Sequence, residues 1–221
     1  YAPKGFKSFA KSIPLWGKEK LYQSNIICEN LASIFNVSKK DISHEMRRTA
    51  KIINFGIMYG AGAFRISQEL AIPRHEAQKI IDQYFKTYVG VKDYINDTIN
   101  KARSDNFVET IFGRRRPIWD ANSENSLKRK AAERVAINMP IQGSAAELIK
   151  IAMIDIHHKI ISEGLKSKMI MQIHDELLFE FPDNEEQQII SLVVNSMENA
   201  MKLNIPIIVD YGIGQNWFEA H

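Results

Sequence analysis

His174, Asp175 and Glu176 stand between two apolar runs in KMIMQIHDELLFEF, a pattern that predicts strand, tight turn, strand. Adjacent carboxylates at such a turn repel unless a cation or water screens them. Hard divalent cations bind such oxygens, and Mg2+ in particular takes one or two carboxylates plus substrate phosphates. A pair of such ions can activate an attacking hydroxyl and support a leaving pyrophosphate. A merely polar turn, in which Asp bonds its own backbone, accounts for the same residues.

A second pattern lies in RRTAKIINFGIMYG. Arg47, Lys51, Phe55 and Tyr59 recur at a spacing of four, which stacks them on one slowly winding helical stripe. Two cations followed by two aromatics suit a ligand with an anionic tail and a flat ring, such as a nucleoside triphosphate. Ile52, Ile53 and Ile57 fall on the opposite, core-facing side. An amphipathic helix with solvated cations and packed aromatics has the same spacing. Arg134, Asn138 and Gln142 form a third series of four-residue steps, one cation and two amides able to read a nucleic-acid groove or to line a polar helix face.

The charge distribution leans the same way. The net charge is only +3. Yet Arg114, Arg115, Arg116, Lys128, Arg129, Lys130 and Arg134 crowd a stretch opposed only by Asp120, Glu124 and Glu133, whereas residues 180–198 are acidic with no Lys or Arg. One face meant for a polyanion explains the asymmetry, as does ordinary fluctuation of surface charge. A single cysteine, Cys28, excludes an internal disulfide framework, and no apolar run approaches the length of a membrane span.

The elements that must position these residues read as an α+β chain. Residues 1–24 read as irregular or truncated. Helical periodicity covers residues 25–36, and a helix runs from about His44 to Tyr59, capped by Ser43 and ended by GAGA. Pro73 opens another, Gly90 is expected to break it, and a further helix reaches about Ser104. FVETIFGRRRPI predicts a short hairpin. Leu127 to Gly164 is helical with a kink or break at Pro140. A helix over 185–203 and a strand in IPIIVDYGIG close the chain.

MRRTAKIINFGIMYGAGAFRISQELAIP, with its R-x3-K-x7-Y-G spacing, resembles motif B of the family A (Pol I-like) DNA polymerases, and QIHDE over Gln172–Glu176 resembles their motif C. AAERVAINMPIQGSAAEL and VETIFGRRRPI are similar to further blocks of that family, so the resemblance runs from about residue 25 to 219. It implies a fingers block over 25–110 and a C-terminal palm portion over 111–221. It implies Arg47 and Lys51 on the triphosphate, Phe55 on the incoming base and sugar, and Tyr59 at the template base. Asp175 becomes a metal ligand, Glu176 an auxiliary catalytic carboxylate, and Gln172 and His174 neighbours of the primer terminus. Arg48, Arg114, Arg115, Arg116, Arg134, Asn138 and Gln142 become DNA contacts. Mg2+, dNTP and primer-template DNA are the implied cofactor and partners, in a bacterial cytoplasm or an organelle of bacterial origin, with no membrane association.

Three departures qualify the resemblance. The family's motif A, D-Y-S-x-I-E-L-R, which carries the second metal-binding aspartate, is not found; YAPKGFKSFAKS does not resemble it, and Tyr1 is not a start residue. NIIC stands where the family often has Asp-Ile-His-Thr, and no thumb or exonuclease domain is expected within these 221 residues. The expectation is a palm sheet with an unpaired edge beside the motif C hairpin, and a chain inactive alone unless a separate motif A fragment joins it. A non-catalytic DNA- or nucleotide-binding remnant and a helical interaction module are the rival readings.

Overall fold

The computed structural model describes residues 6–12 and 44–220. Two compact units arise, one from Lys20–Ser144 and one from Tyr1–Glu19 with Ala145–His221. The architecture is α+β, as expected. The expected helix over 25–36 and the Ser43 cap lie outside the described residues.

In the first unit, α1 (His44–Met58), α2 (Ala63–Leu70) and α3 (Arg74–Thr87) share a core of Ile53, Ile57, Ile66, Ala77, Ile81 and Tyr84. Gly60, at φ +74°, turns the chain out of α1 where a side chain would be strained. The break after α3 falls at Tyr88 (φ −111°, ψ 68°), and Gly90 sits inside the first turn of α4 (Val89–Asp105). Packing accounts for the shift: the Tyr88 ring lies 4.9 Å from that of Tyr84, and its N–H donates to the Tyr84 carbonyl.

The predicted hairpin forms from β2 (Phe107–Glu109) and β3 (Arg115–Pro117), with Val108 opposite Arg116. Ala102, Val108, Ile118 and Ala121 pack with Ala132, Ala136 and Met139 of α5 (Ser126–Ser162). This shared core is why residues 111–144 cluster with the preceding helices, a partition different from blocks over 25–110 and 111–221.

Helix α5 runs unbroken through Pro140, so the break that the sequence allows there does not form. Proline inside a helix costs about 3 kcal/mol. Burial of Ile137 and Met139 offsets this at roughly 1.5–3 kcal/mol each. Ser144 Oγ also donates to the Pro140 carbonyl and accepts the Ile111 N–H at 3.0 Å, tying the hairpin loop to the helix just past the proline.

The second unit is a four-stranded antiparallel sheet in the order β4-β5-β1-β6: β4 (Lys168–Ile173), β5 (Glu176–Pro182), β1 (Phe6–Ser12) and β6 (Asp210–Gly214). Leu177, Phe179 and Phe181 of β5 pack with Leu148, Ala152 and Ile156 of α5 and with Ile189, Val193 and Met197 of α6 (Glu186–Glu198). A short α7 (Trp217–Ala220) follows β6. Two expectations are corrected here. Residues 6–12 are a strand, not an irregular segment, and the edge of β5 is paired, Glu176 facing Ser12 and Leu178 facing Ala10. Phe6 and Phe9 are three residues apart, not in the period-two alternation that announces a strand; two flanking strands supply the hydrogen bonds that make it one. The last helix and strand are also shorter than the expected 185–203 and 205–214.

Buried Glu185 joins the start of α6 to the start of β4. Burial raises its carboxyl, but the Ser167 hydroxyl at 2.6 Å and the N–H groups of Lys166 and Ser167, both at 2.9 Å, outweigh that and hold it below its usual value.

Two stability predictions follow from these contacts. A depressed carboxylate stabilises the fold above its unfolded pKa of about 4.3 and loses that contribution as pH falls through the lower folded value. Glu185→Ala is therefore expected to lower urea-unfolding stability near neutral pH by about 1–3 kcal/mol, with the gap from the parent chain narrowing under acid. Gly143→Ala gains about 1 kcal/mol of helix propensity. Its Cβ, however, would lie 2.6 Å from Thr110 Cγ2, a buried side chain. Overpacking of that kind costs about 1–3 kcal/mol, so net destabilisation is expected, relieved by adding Thr110→Ser.

Candidate functional site

Helix α1 carries the predicted stripe. Arg48 is exposed, and the side chains of Arg47 and Lys51 lie outside the described residues. Phe55 and Tyr59 stack with centroids 6.2 Å apart and planes inclined by 16°, both half-buried, while Ile53 and Ile57 behind them are fully buried. Two rings held parallel on the outer side of a helix present an aromatic surface that a base can meet.

The first unit also joins two stripes that are 75 residues apart between Tyr59 and Arg134. A Cβ on Gly60 would lie 3.3 Å from both Arg134 Cγ and Ile137 Cδ1, so the end of α1 rests on the α5 turn that starts the second stripe. The Tyr94 hydroxyl donates to the Ile137 carbonyl at 2.8 Å and pins the same turn from α4. Arg134 and Gln142 are exposed. Asn138 is half-buried, and its Oδ1 is enclosed with no hydrogen-bond partner among the described residues. A shielded amide oxygen without a donor is costly and calls for a ligand or water donor.

The hairpin arginines differ from one another. Arg115 lies 4.4 Å over the Phe107 ring and 3.5 Å from Glu109, so part of its charge is spent within the fold. Glu109 also pairs with Lys101; that lysine first, and Arg115 after it, hold the carboxyl below its usual range. Arg114 and Arg116 are exposed, and the Arg114 N–H donates to Thr110 Oγ1 at 3.1 Å.

In the second unit, His174 and Asp175 form the two-residue loop between Ile173 and its partner Glu176. His174 has φ +52°, a left-handed conformation that costs a non-glycine residue about 1 kcal/mol. Gln172 Nε2 donates to the His174 carbonyl at 2.9 Å and clamps the strained loop. Spacing did not reveal this clamp; an amide two residues before a turn carbonyl is the signal that could have found it.

Asp175 and Glu176 are half-buried at the end of the sheet. Beyond Glu176 the same row continues with Ser12 and then Asp210. FKSFAKS, the β1 strand beside them, has no carboxylate. Among the described residues, no group of three or more His, Cys, Asp or Glu is arranged to hold a metal ion. Two adjacent carboxylates are the kind of donor that a hard cation shares with phosphate oxygens, and no third acidic, His or Cys ligand joins them among the described residues. No described helix is long and apolar enough to cross a membrane.

Comparison with known proteins agrees with the motifs. The family model described as DNA polymerase family A matches residues 23–219. The chain is 43% identical over 195 residues to DNA polymerase I of Caldicellulosiruptor bescii, covering 88% of this chain and 23% of that protein. It is 38% identical over 206 residues to DNA polymerase I of Deinococcus radiodurans, covering 93% and 21%. It thus spans about a fifth of the length of these relatives. Among solved structures, the POL domain of Pol1 from M. smegmatis, in complex with DNA primer-template and dNTP, matches with a TM-score of 0.91 and 34% identity, over 99% of this chain and 41% of that one. On the strength of a family match over most of its length, this chain belongs to DNA polymerase family A.

Proposed function

We propose that the chain serves as the fingers and C-terminal palm portion of a DNA-directed DNA polymerase, transferring deoxynucleotidyl units from dNTP to a primer 3′-hydroxyl in replication or repair. The observation that carries this reading is the parallel Phe55–Tyr59 pair on α1, downstream of Arg47, Arg48 and Lys51 and seated against the Arg134 turn. Arg47 and Lys51 neutralise the triphosphate, Phe55 meets the incoming base and sugar, and Tyr59 meets the template base. Arg48, Arg114, Arg115, Arg116 and Arg134 hold DNA phosphates. Asn138 and Gln142 offer amides to the groove, with the Asn138 oxygen open to a donor. Gln172 and His174 shape the carboxylate loop beside the primer terminus.

Asp175, assisted by Glu176, would hold one Mg2+ shared with the triphosphate. When bound, such a cation neutralises phosphate charge and favours loss of the hydroxyl proton. A second aspartate comes from a polypeptide segment bearing motif A, in a separate fragment or elsewhere in the same protein. The setting is DNA in a bacterial cytoplasm or an organelle of bacterial origin. A second reading, a DNA- or nucleotide-binding remnant without catalysis, is favoured by β1, which puts Ser12 opposite Glu176 and has no carboxylate in its sequence FKSFAKS.

The 221-residue polypeptide is expected to bind primer-template DNA but not to extend it unaided; primer extension by the purified chain would overturn that. Binding should weaken steeply with salt, and Arg116→Ala should reduce the slope of log affinity against log salt by about 1. A slope unaltered by that change removes Arg116 from the phosphate contacts. His174→Gly is expected to raise stability by up to about 1 kcal/mol by relieving the loop. It should also weaken primer-template binding, and a stability gain without any binding loss would leave the imidazole no functional part.

A further inference from the structure

We infer that Trp119 is a stacking platform for an unpaired DNA base; the inference rests on the nucleic-acid reading above and extends it to a residue that the motifs do not include. Trp119 is 80% exposed, although a side chain of that area is one the hydrophobic effect ordinarily buries. Its exposure is built in. Ile118 before it and Ala121 after it are buried. The Ile118 N–H donates to the Asn106 carbonyl at 2.8 Å, and Asn122 Nδ2 donates to the Arg103 carbonyl at 2.8 Å. The short turn Trp119–Asn122 is therefore fastened to the end of α4 on both sides of the indole, which is held outward on a rigid base.

Its surroundings select the partner. Arg116 precedes it by three residues, and Lys128 and Lys130 follow within eleven, all exposed. The exposed acidic residues of that stretch, Asp120 and Glu124, are outnumbered by its cations, Arg129 included, and Glu133 just beyond it is taken by Arg103 at 2.7 Å. A protein-binding hot spot is depleted of lysine at its centre, which argues against a protein partner. An exposed aromatic on a segment with an excess of exposed cations suits a single strand: phosphates meet the cations and a base meets the ring. Bases inside a duplex are already stacked on one another, so the platform discriminates for an unpaired strand, such as a template ahead of the primer terminus.

The test measures fluorescence anisotropy of the 221-residue chain at low salt with labelled oligothymidine and with a blunt duplex. Trp119→Ala is expected to weaken oligothymidine binding by about fivefold to a hundredfold, with blunt-duplex affinity and the urea midpoint unchanged. Trp119→Phe should keep most of the oligothymidine affinity while removing DNA-induced quenching of the indole emission. An unchanged oligothymidine affinity in Trp119→Ala, as expected if the indole serves a protein partner, overturns the inference, and so does an equal loss on both DNAs. Failure of the parent chain to bind either DNA would instead overturn the nucleic-acid reading on which the inference rests.

Discussion

The continuity of α5 through Pro140 is the constraint on which most of the architecture depends. One helix supplies Ala132, Ala136 and Met139 to the core under the hairpin and Leu148, Ala152 and Ile156 to the core of the sheet. It also carries the Arg134, Asn138 and Gln142 stripe. A proline that ended the helix would cut this stripe between its second and third residues. Apolar burial on either side of the proline, together with the Ser144 bridge to the Pro140 carbonyl and the Ile111 N–H, outweighs the lost hydrogen bond. Gly143 leaves the room in which Thr110 approaches the helix, so a residue without a side chain belongs to the same arrangement.

The sheet exerts its own constraint through register. Pairing of Ile173 with Glu176 allows only two loop residues, and His174 accepts a left-handed backbone so that Asp175 and Glu176 emerge together at the strand end. The Gln172 amide satisfies the loop carbonyl and steadies that geometry. On the other side of β5, β1 fills an edge that would otherwise expose unpaired backbone groups. Its backbone completes the hydrogen bonding of the sheet, and its sequence, FKSFAKS, adds no carboxylate.

The cations of the hairpin show why charge counted along a sequence is a coarse guide. Arg115 is held by an aromatic ring and a carboxylate, Arg129 donates to the Ser123 carbonyl, and Arg116, Lys128 and Lys130 face solvent. All five contribute equally to net charge, yet Arg115, although exposed, and Arg129 already have partners in the fold, whereas Arg116, Lys128 and Lys130 can meet a phosphate without first breaking one of these contacts.

Much of this protein was legible before folding. Four-residue spacing placed Phe55 and Tyr59 on one face because helix geometry is local, and their rings do stack. Alternation around His-Asp-Glu revealed a hairpin because strand pairing across two residues is also local, and the motifs carried the family. Other features belonged to tertiary structure alone. Tyr88 rather than Gly90 breaks a helix because of a ring packed from the preceding turn. Pro140 is tolerated because of buried neighbours and a hairpin loop 29 residues upstream at Ile111. Residues 6–12 become a strand because partners more than 160 residues away supply the ladder. Gly60 brings the end of α1 against the Arg134 turn because no side chain protrudes between them. Propensity and period are properties of short segments, whereas these outcomes depend on which distant atoms arrive, and that is decided only when the chain has folded.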